Sequence, residues 1–501
     1  MEEKQFSGYG SNASNIKKLS KSGKGNTMSA GSSLVAKKVV PHYLNFMRLP
    51  GGKVLMTNIL GGNIVLDGKI FGKFISGKMT ESEMPAEIAE QGFAKGFIPE
   101  SEYTQAMRSR YFEGWKAPHV HIISLSALCR LNCVYCCAST SPSDTRIMGK
   151  ETADKILDFI FSLEPERYLL EFQGGEPMMT FALLKYIVLK AKKMAYSKKK
   201  PVFFSVVTNL QECDEDKFRF LTEHNVTVCA SLDGPAYVHD KNRPCGGGES
   251  HAHASYWLRR FADYAAANGT EMPNAICTVT KNSLPYPEKI VDEFLSCGLM
   301  RAQLGPVDPI GRAAAAWGKI GVSSEEFLQF YRSAINYILD LNRRGIAAYE
   351  KAALAFAKQS NGLSRPRYQN LDILYRLAYN WDGGIYGSDE ARMVSNSGDN
   401  YFRLGNVHSD TFRKIIRTPL AIRLIASSLT ELRQPMCSRC PSSLYCRVPP
   451  VYNYITQGSI HGNMPSNERC KLYRSIYDML SELNSVPENA GIFRQWSEIY
   501  E

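Results

Sequence analysis

Long apolar runs are absent from this 501-residue sequence. None approaches the roughly 18 residues that a membrane-spanning helix requires, so we expect no membrane partner. No apolar stretch followed by a small-residue cleavage site occurs near the N-terminus, so we do not expect export. We expect a cytoplasmic location instead. In such a reducing compartment disulfides are rare, and the 13 cysteines must bind metal, do chemistry or pack.

The charge balance argues against a dedicated nucleic-acid-binding protein. The chain carries 60 Lys and Arg against 49 Asp and Glu, a net charge of +11. Residues 1–40 hold seven Lys and two Glu, are poor in aromatics, and read as a disordered basic tail. The remaining excess of +6 is spread over 461 residues, which is too diffuse to require nucleic acid.

Three short strand-like runs follow the tail. They are YLNFMRL, KVLMTN and NIVLDG, separated by Pro50-Gly51-Gly52 and Gly61-Gly62. Two short helical stretches come next, KIFGKFISG and SEMPAEIAEQGF. Residues 41–105 are therefore predicted to form a compact module of the small winged-helix type.

The middle of the chain alternates apolar runs with amphipathic stretches. Six strand-like runs, VHIISLSAL, RYLLEFQ, VFFSVVTN, VTVCASLD, NAICTVT and RAQLGPV, predict an α/β fold whose parallel sheet curls into an incomplete barrel over residues 116–310. A complete barrel would need eight such repeats. Residues 311–375 are predicted to be a helical bridge. Residues 376–485 are rich in Gly, Pro and Cys and are expected to be an irregular small domain held by metal.

A first cysteine group stands at the end of the first strand of the predicted barrel. Cys129, Cys133 and Cys136 can bind one face of a [4Fe–4S] cluster and leave one iron free for another ligand. A zinc site or three packed thiols are the alternatives, but zinc usually has four protein ligands. Cys137 is expected to pack.

The C-x₃-C-x₂-C spacing, with Tyr135 before the last cysteine, resembles the signature of the radical S-adenosylmethionine (SAM) enzymes. Gly174-Gly175-Glu176-Pro177, after the second strand, resembles the GGEP sequence of that family. The resemblance implies a partial (β/α)6 radical SAM barrel in which this turn approaches the amino group of SAM.

Further cofactor residues follow from the same resemblance. Thr208 closes the third strand, and Ser231 closes the fourth and corresponds to a contact with the SAM ribose. Arg243 corresponds to a contact with the SAM carboxylate, with Arg259 and Arg260 as competitors. The alternative for Ser231 is a strand-end cap.

A second cysteine group lies near the C-terminus. Cys437, Cys440, Cys446 and Cys470 can enclose either a cluster or a zinc ion. The C-x₂-C-x₅-C spacing with a distant fourth cysteine, preceded by Leu404-Gly405-Asn406, resembles the SPASM domain of peptide-modifying radical SAM enzymes. That resemblance favours an auxiliary [4Fe–4S] cluster.

One departure from the SPASM pattern sets the cluster count. No cysteine occurs between Cys297 and Cys437, so the ligands of the first of two auxiliary clusters are missing together. We therefore expect two [4Fe–4S] clusters in all. Asp389 matches the carboxylate that accepts a proton in the related anaerobic sulfatase maturases; a turn-forming or solvated acid is the alternative.

The resemblance implies a mechanism and partners. An external donor such as flavodoxin or ferredoxin reduces the cluster, SAM is cleaved to a 5′-deoxyadenosyl radical, and the radical removes hydrogen from a peptide. YLNFMRLPGGKVLMTN, DEARM, RLGNV and PPVYNY resemble the His-Xaa-Ser system radical SAM maturases over roughly residues 43–480. The implied substrate is a ribosomally made precursor peptide carrying a leader that adds a strand to the N-terminal module. A crosslink is the expected product, and a second maturase is a further candidate partner.

Three other functions are alternatives to this one. A sulfatase-maturase-like enzyme would oxidise Cys or Ser to formylglycine, and an RNA-modifying enzyme would use the basic charge. A non-catalytic iron–sulfur or zinc protein would have no use for an open iron site. Among the cysteines left over, Cys245 in a Gly-rich loop is a candidate for chemistry.

Overall fold

The computed structural model describes residues 37–111, 117–246, 248–361, 372–444, 446 and 448–499. Apart from residues 37–40, the predicted basic tail lies outside these residues. Within the described part of the chain, every helix is too short or too polar to cross a membrane.

The N-terminal module is a three-stranded antiparallel sheet followed by three helices. The strands pair in the order β1-β2-β3. Alternate residues of β2 divide between two cores, since Val54 and Met56 pack inside the module while Leu55 packs into the main core. The elements are β1 (Asn45–Arg48), β2 (Lys53–Thr57), β3 (Asn63–Asp67), α1 (Gly68–Ile75), α2 (Ala86–Glu90) and α3 (Glu100–Tyr111).

Six strands of the central sheet run parallel, and each comes from one of the runs predicted for the barrel. The last run, RAQLGPV, is divided: Leu304–Pro306 joins this sheet, while Arg301–Ala302 pairs in a separate two-stranded sheet. The six parallel strands are short and rich in β-branched and aromatic residues, and helices cover one face. The elements are β4 (Val120–Ser124), α4 (Lys150–Phe161), β5 (Tyr168–Gln173), α5 (Phe181–Lys198), β6 (Val202–Thr208), α6 (Glu215–Glu223), β7 (Val226–Ser231), α7 (Ala236–Asn242), α8 (Ser250–Asn268), β8 (Asn274–Val279), α9 (Pro287–Ser296), β9 (Arg301–Ala302) and β10 (Leu304–Pro306).

The predicted helical bridge is helical in its described part. Its longest helix starts with a capping box, in which Ser323 and Glu326 satisfy each other's backbone N–H groups. The elements are α10 (Arg312–Ala315), α11 (Trp317–Ile320), α12 (Ser324–Arg343), β11 (Tyr349–Glu350) and α13 (Lys351–Ser360); β11 pairs with β9.

The C-terminal part extends the central sheet to nine mixed strands in the order β10-β8-β7-β6-β5-β4-β12-β13-β14. Strand β12 lies parallel to β4, so one sheet continues across the predicted boundary between barrel and C-terminal region. The elements are β12 (Arg376–Tyr379), β13 (Gly384–Tyr386), α14 (Asp389–Asn396), β14 (Gly405–Asn406), α15 (Phe412–Ile415), α16 (Pro419–Ser428), α17 (Thr430–Arg433), α18 (Pro435–Ser438), α19 (Pro450–Gln457), α20 (Glu468–Asn484) and α21 (Pro487–Glu498).

The expectation of an irregular C-terminal region was wrong. Many of its prolines start helices rather than interrupt them, because proline at the first helical position loses no hydrogen bond. Pro419, Pro435, Pro450 and Pro487 all occupy such positions. Helices α3 and α7 were not predicted either.

The two faces of the central sheet have different characters. Tyr168, Leu170 and Phe172 of β5 point to the helix-covered face, where Tyr168 packs against Phe161 of α4. Glu171 and Gln173 alternate with them and point to the opposite face, here called the inner face. In a parallel sheet closed by helices, the inner face and the carboxyl ends of the strands are where functional groups gather.

Candidate iron–sulfur and active site

The first cysteine group lies in the loop after β4, at the carboxyl end of the sheet. Cys129 is buried, while Cys133 and Cys136 are partly exposed. Burial is the main cause that raises the pKa of Cys129 to about 12 and that of Cys133 to about 11, and the neighbouring thiols of the group add to it. The structure therefore brings the three predicted ligands close enough to interact electrostatically, and a positive metal centre would be needed to keep Cys129 and Cys133 as thiolates.

Gly311 and Arg312, at the start of α10, contact this loop. Arg312 donates through Nη1 to the Cys133 carbonyl at 2.7 Å and through Nη2 to the Thr140 carbonyl at 2.8 Å. Gly311 has a φ of +59°, and a Cβ there would lie 2.5 Å from the Cys137 carbonyl. The start of α10 thus fits tightly against the cysteine loop. Sequence reasoning did not find Arg312, which lies far along the chain and has no local signature.

Tyr135 and Arg243 meet at one buried carboxylate. The Tyr135 hydroxyl donates to Asp233 Oδ2 at 2.6 Å, and Arg243 pairs with both oxygens of Asp233, Nε with Oδ2 at 3.1 Å and Nη2 with Oδ1 at 3.3 Å. The Arg243 guanidinium also lies over the Tyr135 ring and lowers the pKa of Cys133. Arg243 therefore stands beside the cysteine group with part of its hydrogen-bonding capacity already used.

The double-glycine turn, Gly174-Gly175, packs directly against residues 126–128, which precede the first cysteine. Gly174 has a φ of +124°, and a Cβ added to it would come within 2.4 Å of the Ser126 carbonyl. A Cβ on Gly175 would come within 2.0 Å of the Leu128 carbonyl. The backbone N–H of Glu176 donates to that same carbonyl at 2.7 Å. Glycine is required here because two backbone segments approach closely.

The Glu176 carboxylate joins the ends of two strands. Its Oε1 accepts from the Thr208 hydroxyl at 2.7 Å and from Met178 N at 3.0 Å, and its Oε2 accepts from Asn209 N at 2.8 Å. Asn209 Nδ2 in turn approaches the Cys129 sulfur at 3.5 Å. Burial raises the pKa of Glu176 to about 7 in spite of these bonds. Pro177 is buried and begins the short helical turn that follows.

Buried polar atoms beside this turn fit an additional polar group. The hydroxyls of Ser124 and Ser126 are buried and have no hydrogen-bond partner among the described residues. Ser124 Oγ lies 2.7 Å from the position that a Cβ of Gly174 would take. Ser231, at the end of β7, is partly exposed on the same side of the sheet. These donors and acceptors match a cofactor with amino, carboxylate and hydroxyl groups.

Asp389 lies at the start of α14 and is ion-paired. Its Oδ1 accepts from Nε of Arg392 at 2.7 Å, and the Arg392 side chain is fully buried. Burial raises the pKa of Asp389, while Arg392 lowers it. The charge of Asp389 also raises the pKa of Cys137 and that of Glu171, so this carboxylate lies between the cysteine loop and the inner face of the sheet.

The C-terminal cysteines form a small cluster of their own. Cys437, Cys470, Val448 and Met464 pack together, with Cys446 against them. Burial is the main cause that raises the pKa of Cys437 to about 12, with Cys470 and Cys440 adding to it. Cys470 sits in the first turn of α20, where its N–H donates to the Asn467 side chain. The structure thus brings the four predicted ligands together, away from the first group.

Neither cysteine group is arranged for a single metal ion. In the described residues, no three His, Cys, Asp or Glu side chains converge as ligands of one ion. A cubane of four irons occupies more space than one ion, and its cysteine sulfurs stand correspondingly farther apart.

The N-terminal module contacts the second cysteine group directly. Asn45 Nδ2 donates to the Cys440 carbonyl at 3.3 Å, and the Thr57 hydroxyl donates to the Pro441 carbonyl at 3.3 Å. Asn63 donates to the Tyr477 hydroxyl of α20 at 2.9 Å. Module and cysteine loop are therefore joined by backbone carbonyls of the loop itself.

Comparison with known proteins points in the same direction. A family profile described as a 4Fe-4S single cluster domain matches residues 115–246, which hold the first cysteine group and the double-glycine turn. The cysteine-type anaerobic sulfatase-maturating enzyme of Clostridium perfringens (strain 13 / Type A) is 23% identical over 337 residues, covering 64% of this chain and 85% of that protein. An uncharacterized protein of Methanothermobacter thermautotrophicus is 28% identical over 261 residues, covering 51% and 91%.

Solved structures show the same fold. The structure described as native anSMEcpe with bound AdoMet (SAM) and Cp18Cys peptide has a TM-score of 0.60 at 19% identity, covering 75% of this chain and 99% of that chain. Streptococcus suis SuiB bound to precursor peptide SuiA has a TM-score of 0.52 at 13% identity, covering 87% and 100%. These solved structures therefore share the fold of this chain, and the sequence matches make it similar to a [4Fe–4S] domain and to a sulfatase-maturating enzyme.

Proposed function

We propose that this protein is a radical SAM enzyme that modifies a ribosomally made peptide and forms a crosslink between side chains. One observation carries the proposal. The loop with Cys129, Cys133 and Cys136 is packed against the Gly174-Gly175-Glu176 turn, and the two are joined by the bond from Glu176 N to the Leu128 carbonyl. An open cluster site therefore stands beside buried, unpartnered hydroxyls that suit a SAM molecule.

The residues of the site have distinct tasks. When bound, a [4Fe–4S] cluster with SAM supplies a carbon-centred radical that takes a hydrogen atom from the substrate. The three cysteines hold the cluster, and the backbone of the double-glycine turn and Ser231 face SAM. Glu176 follows β5 and bonds to Thr208 and Asn209 at the end of β6, so it holds these two strand ends together beside the SAM site. Arg243 holds Tyr135 and Asp233 in place and offers positive charge to a SAM carboxylate.

The C-terminal cysteines would hold a second [4Fe–4S] cluster, giving two in all. A crosslink removes two hydrogen atoms from the peptide, so after the first has left as an atom, a proton and an electron must also leave. Asp389 would accept the proton, and its position between the cysteine loop and the inner face supports that role. The ion pair with Arg392 favours the ionised carboxylate and opposes burial, which raises its pKa.

The N-terminal module is proposed to recognise the leader of the precursor peptide. Strand β1 has β2 on one side and no strand on the other among the described residues, so its free edge can accept an extended peptide. The contact between the module and the second cysteine group supports this role, because a leader docked there would lie next to the C-terminal cysteines. The His-Xaa-Ser system maturases remain the proposed subgroup, with flavodoxin or ferredoxin as electron donor, a second maturase as a further partner, and a cytoplasmic location.

Formylglycine formation is the second candidate. It is favoured by the C. perfringens relative, whose name describes sulfatase maturation and of which this chain covers 85%. The missing cysteines between Cys297 and Cys437 weigh against it, since sulfatase maturases are expected to keep the other auxiliary cluster.

Anaerobic reconstitution and co-expression test the proposal. The reconstituted protein should form 5′-deoxyadenosine from SAM, and a precursor peptide encoded beside it should lose two mass units after co-expression. Formylglycine formation would instead convert a sulfatase-derived Cys or Ser peptide. Failure of a cluster-loaded sample to cleave SAM would contradict both candidates.

A further inference from the structure

The inner face of the sheet carries a charged residue where an apolar one would be expected. Glu171 lies in the middle of β5, in register with Ile122 of β4 and Ser205 of β6. It stands two residues before Gln173 and three before the double-glycine turn. Its side chain is therefore on the same face as the candidate active site, one step deeper in the sheet.

The hydrogen bonds to the Glu171 carboxylate come from neutral groups. Gln173 Nε2 donates to Oε1 at 2.5 Å, and the Ser205 hydroxyl lies 3.4 Å from Oε2. Burial raises the pKa of Glu171 and the charge of Asp389 raises it further, while the two hydrogen bonds and the charge of Arg376 lower it. A buried carboxylate is costly unless a cation pairs with it directly, and these two bonds do not supply such a pair.

The other carboxylates near Glu171 have arginine partners. Asp389 is paired with Arg392 at 2.7 Å, and Asp372 is paired with Arg376 at 3.2 Å. Glu171 makes no ion pair with any residue that the structure describes. Both arginines pair with other carboxylates, while Nη1 and Nη2 of Arg392 are buried and have no hydrogen-bond partner among the described residues. Glu171 is thus open to a direct ion pair with a cation from outside the described residues.

Unsatisfied polar atoms surround the same position. The row of the sheet above Glu171 contains Ser124 of β4, Gln173 of β5 and Cys229 of β7. Asn380, directly after β12, falls in the same row beside Ser124. Ser124 Oγ and Asn380 Oδ1 are both buried and lack a hydrogen-bond partner among the described residues. Buried acceptors without donors indicate a bound polar group.

We propose that Glu171, with Gln173 and Ser205, forms the binding site for a positively charged side chain of the substrate peptide. The carboxylate supplies the counter-charge, and Asn380 Oδ1 accepts a further N–H bond from the same group. The chemistry selects lysine, arginine or protonated histidine over carboxylate or apolar side chains. The proposal depends on the proposed peptide-modifying function only for the identity of the molecule that carries the cation.

The charge at this site can be measured without any substrate. Cys229 is partly exposed on the inner face. Burial and then the charge of Glu171 raise its pKa, while Lys351 and Arg301 lower it. The change in its reactivity when Glu171 alone is neutralised therefore reports on the carboxylate. The anaerobic, cluster-loaded full chain is treated at pH 8.5 with 2-(trimethylammonium)ethyl methanethiosulfonate, a cation, or with the corresponding sulfonate, an anion. Peptide mapping by mass spectrometry gives the rate at each cysteine.

The cation should react with Cys229 faster than the anion, and Glu171→Gln should lower that rate ratio about tenfold. Glu164→Gln, which alters an exposed carboxylate paired with Lys198, should leave the ratio unchanged. The ratio at Cys245 in the Glu171→Gln protein serves as the internal control for folding. An unchanged ratio at Cys229 would overturn the proposal.

Peptide selectivity provides the second test. A library of short capped peptides is incubated with the enzyme, SAM and dithionite, and modified peptides are sequenced by mass spectrometry. A basic residue should be enriched at one fixed distance from the modified position, and Glu171→Gln should abolish the enrichment while 5′-deoxyadenosine formation without peptide persists. Weaker SAM binding by Glu171→Gln with unchanged peptide preference would assign Glu171 to SAM instead. Absence of SAM cleavage in the unaltered enzyme would refute the proposed function and leave the thiol-reactivity result standing.

Discussion

Tyr135 and Asp233 share a 2.6 Å hydrogen bond that joins the cysteine loop to the end of β7. Asp233 is fully buried, and Arg243 and the backbone N–H of Thr278 also donate to it. One carboxylate therefore connects the loop, the strand end and the neighbouring strand β8. The positions of Cys133 and Cys136 depend on Asp233, because Tyr135, which is bonded to Asp233, lies between these two cysteines in the chain.

Replacing Asp233 should be among the most damaging single changes outside the cysteines. Asp233→Ala leaves the Arg243 charge buried without a partner, and we expect a loss of about 3–5 kcal/mol in the free energy of unfolding. Tyr135→Phe removes one hydrogen bond to a charged group and should cost about 1.5–3 kcal/mol. Chemical denaturation of the anaerobic protein measures both. A smaller cost for Asp233→Ala than for Tyr135→Phe would contradict the structure.

Gly175→Ala tests the close contact between the double-glycine turn and the segment before the cysteines. The added Cβ would lie 2.0 Å from the Leu128 carbonyl, so the turn must move away. We expect a lower melting temperature and loss of SAM binding. Gly72→Ala is the matched control, because this glycine is inside α1 with open space around its Cβ position. It should stabilise by about 0.5–1 kcal/mol.

The buried Glu176 predicts a pH dependence of stability in the SAM-free protein. The pKa of Glu176 is about 7 when folded against 4.5 for an unperturbed glutamate. A raised pKa means that the folded state holds the proton more tightly, so stability falls as the pH rises from about 4.5 through 7, by about 3 kcal/mol. The free energies of unfolding at pH 5 and at pH 8 should therefore be closer to each other in Glu176→Gln than in the unaltered protein. An equal pH effect in both proteins would rule out this origin.

The two cysteine groups should load independently. The reconstituted chain should contain about eight irons, and replacing Cys129, Cys133 and Cys136 by alanine should remove about four of them and all SAM cleavage. Replacing Cys437 and Cys440 should remove the other four and spare SAM cleavage in the absence of peptide. Iron and zinc analysis by mass spectrometry gives the count. Four irons with one zinc would disprove the second cluster.

Asp389→Asn should separate SAM cleavage from product formation. Loss of a general base costs about 10²–10⁴-fold in rate, so peptide product should fall by at least that factor while 5′-deoxyadenosine still forms. Glu390→Gln, one residue along, is the control. Because burial raises the pKa of Asp389, the product rate should increase with pH as the carboxylate ionises. A product rate unaffected by Asp389→Asn would show that the acid is structural.

Sequence patterns predicted those parts of the molecule whose signals are local. The six parallel strands and the two cysteine groups follow from short runs and fixed spacings. The role of Arg312 could not be predicted from the sequence, because Arg312 contacts the cysteine loop only in the folded structure. Asp233 was visible in the SLDGP segment, but its partners were not. Glu171 left a signal that can be recognised afterwards, a lone acid within the apolar strand YLLEFQ.

The hydrogen bonds from Asn45 and Thr57 to the Cys440–Pro441 backbone bear on the order of assembly. These hydrogen bonds go to a loop that contains proposed cluster ligands. The conformation of that loop would therefore depend on the cluster that its cysteines would hold. A newly made chain without that cluster would offer the N-terminal module a less defined surface. Maturation would then precede recruitment: immature chains would not sequester precursor peptide, and only finished enzyme would compete for it.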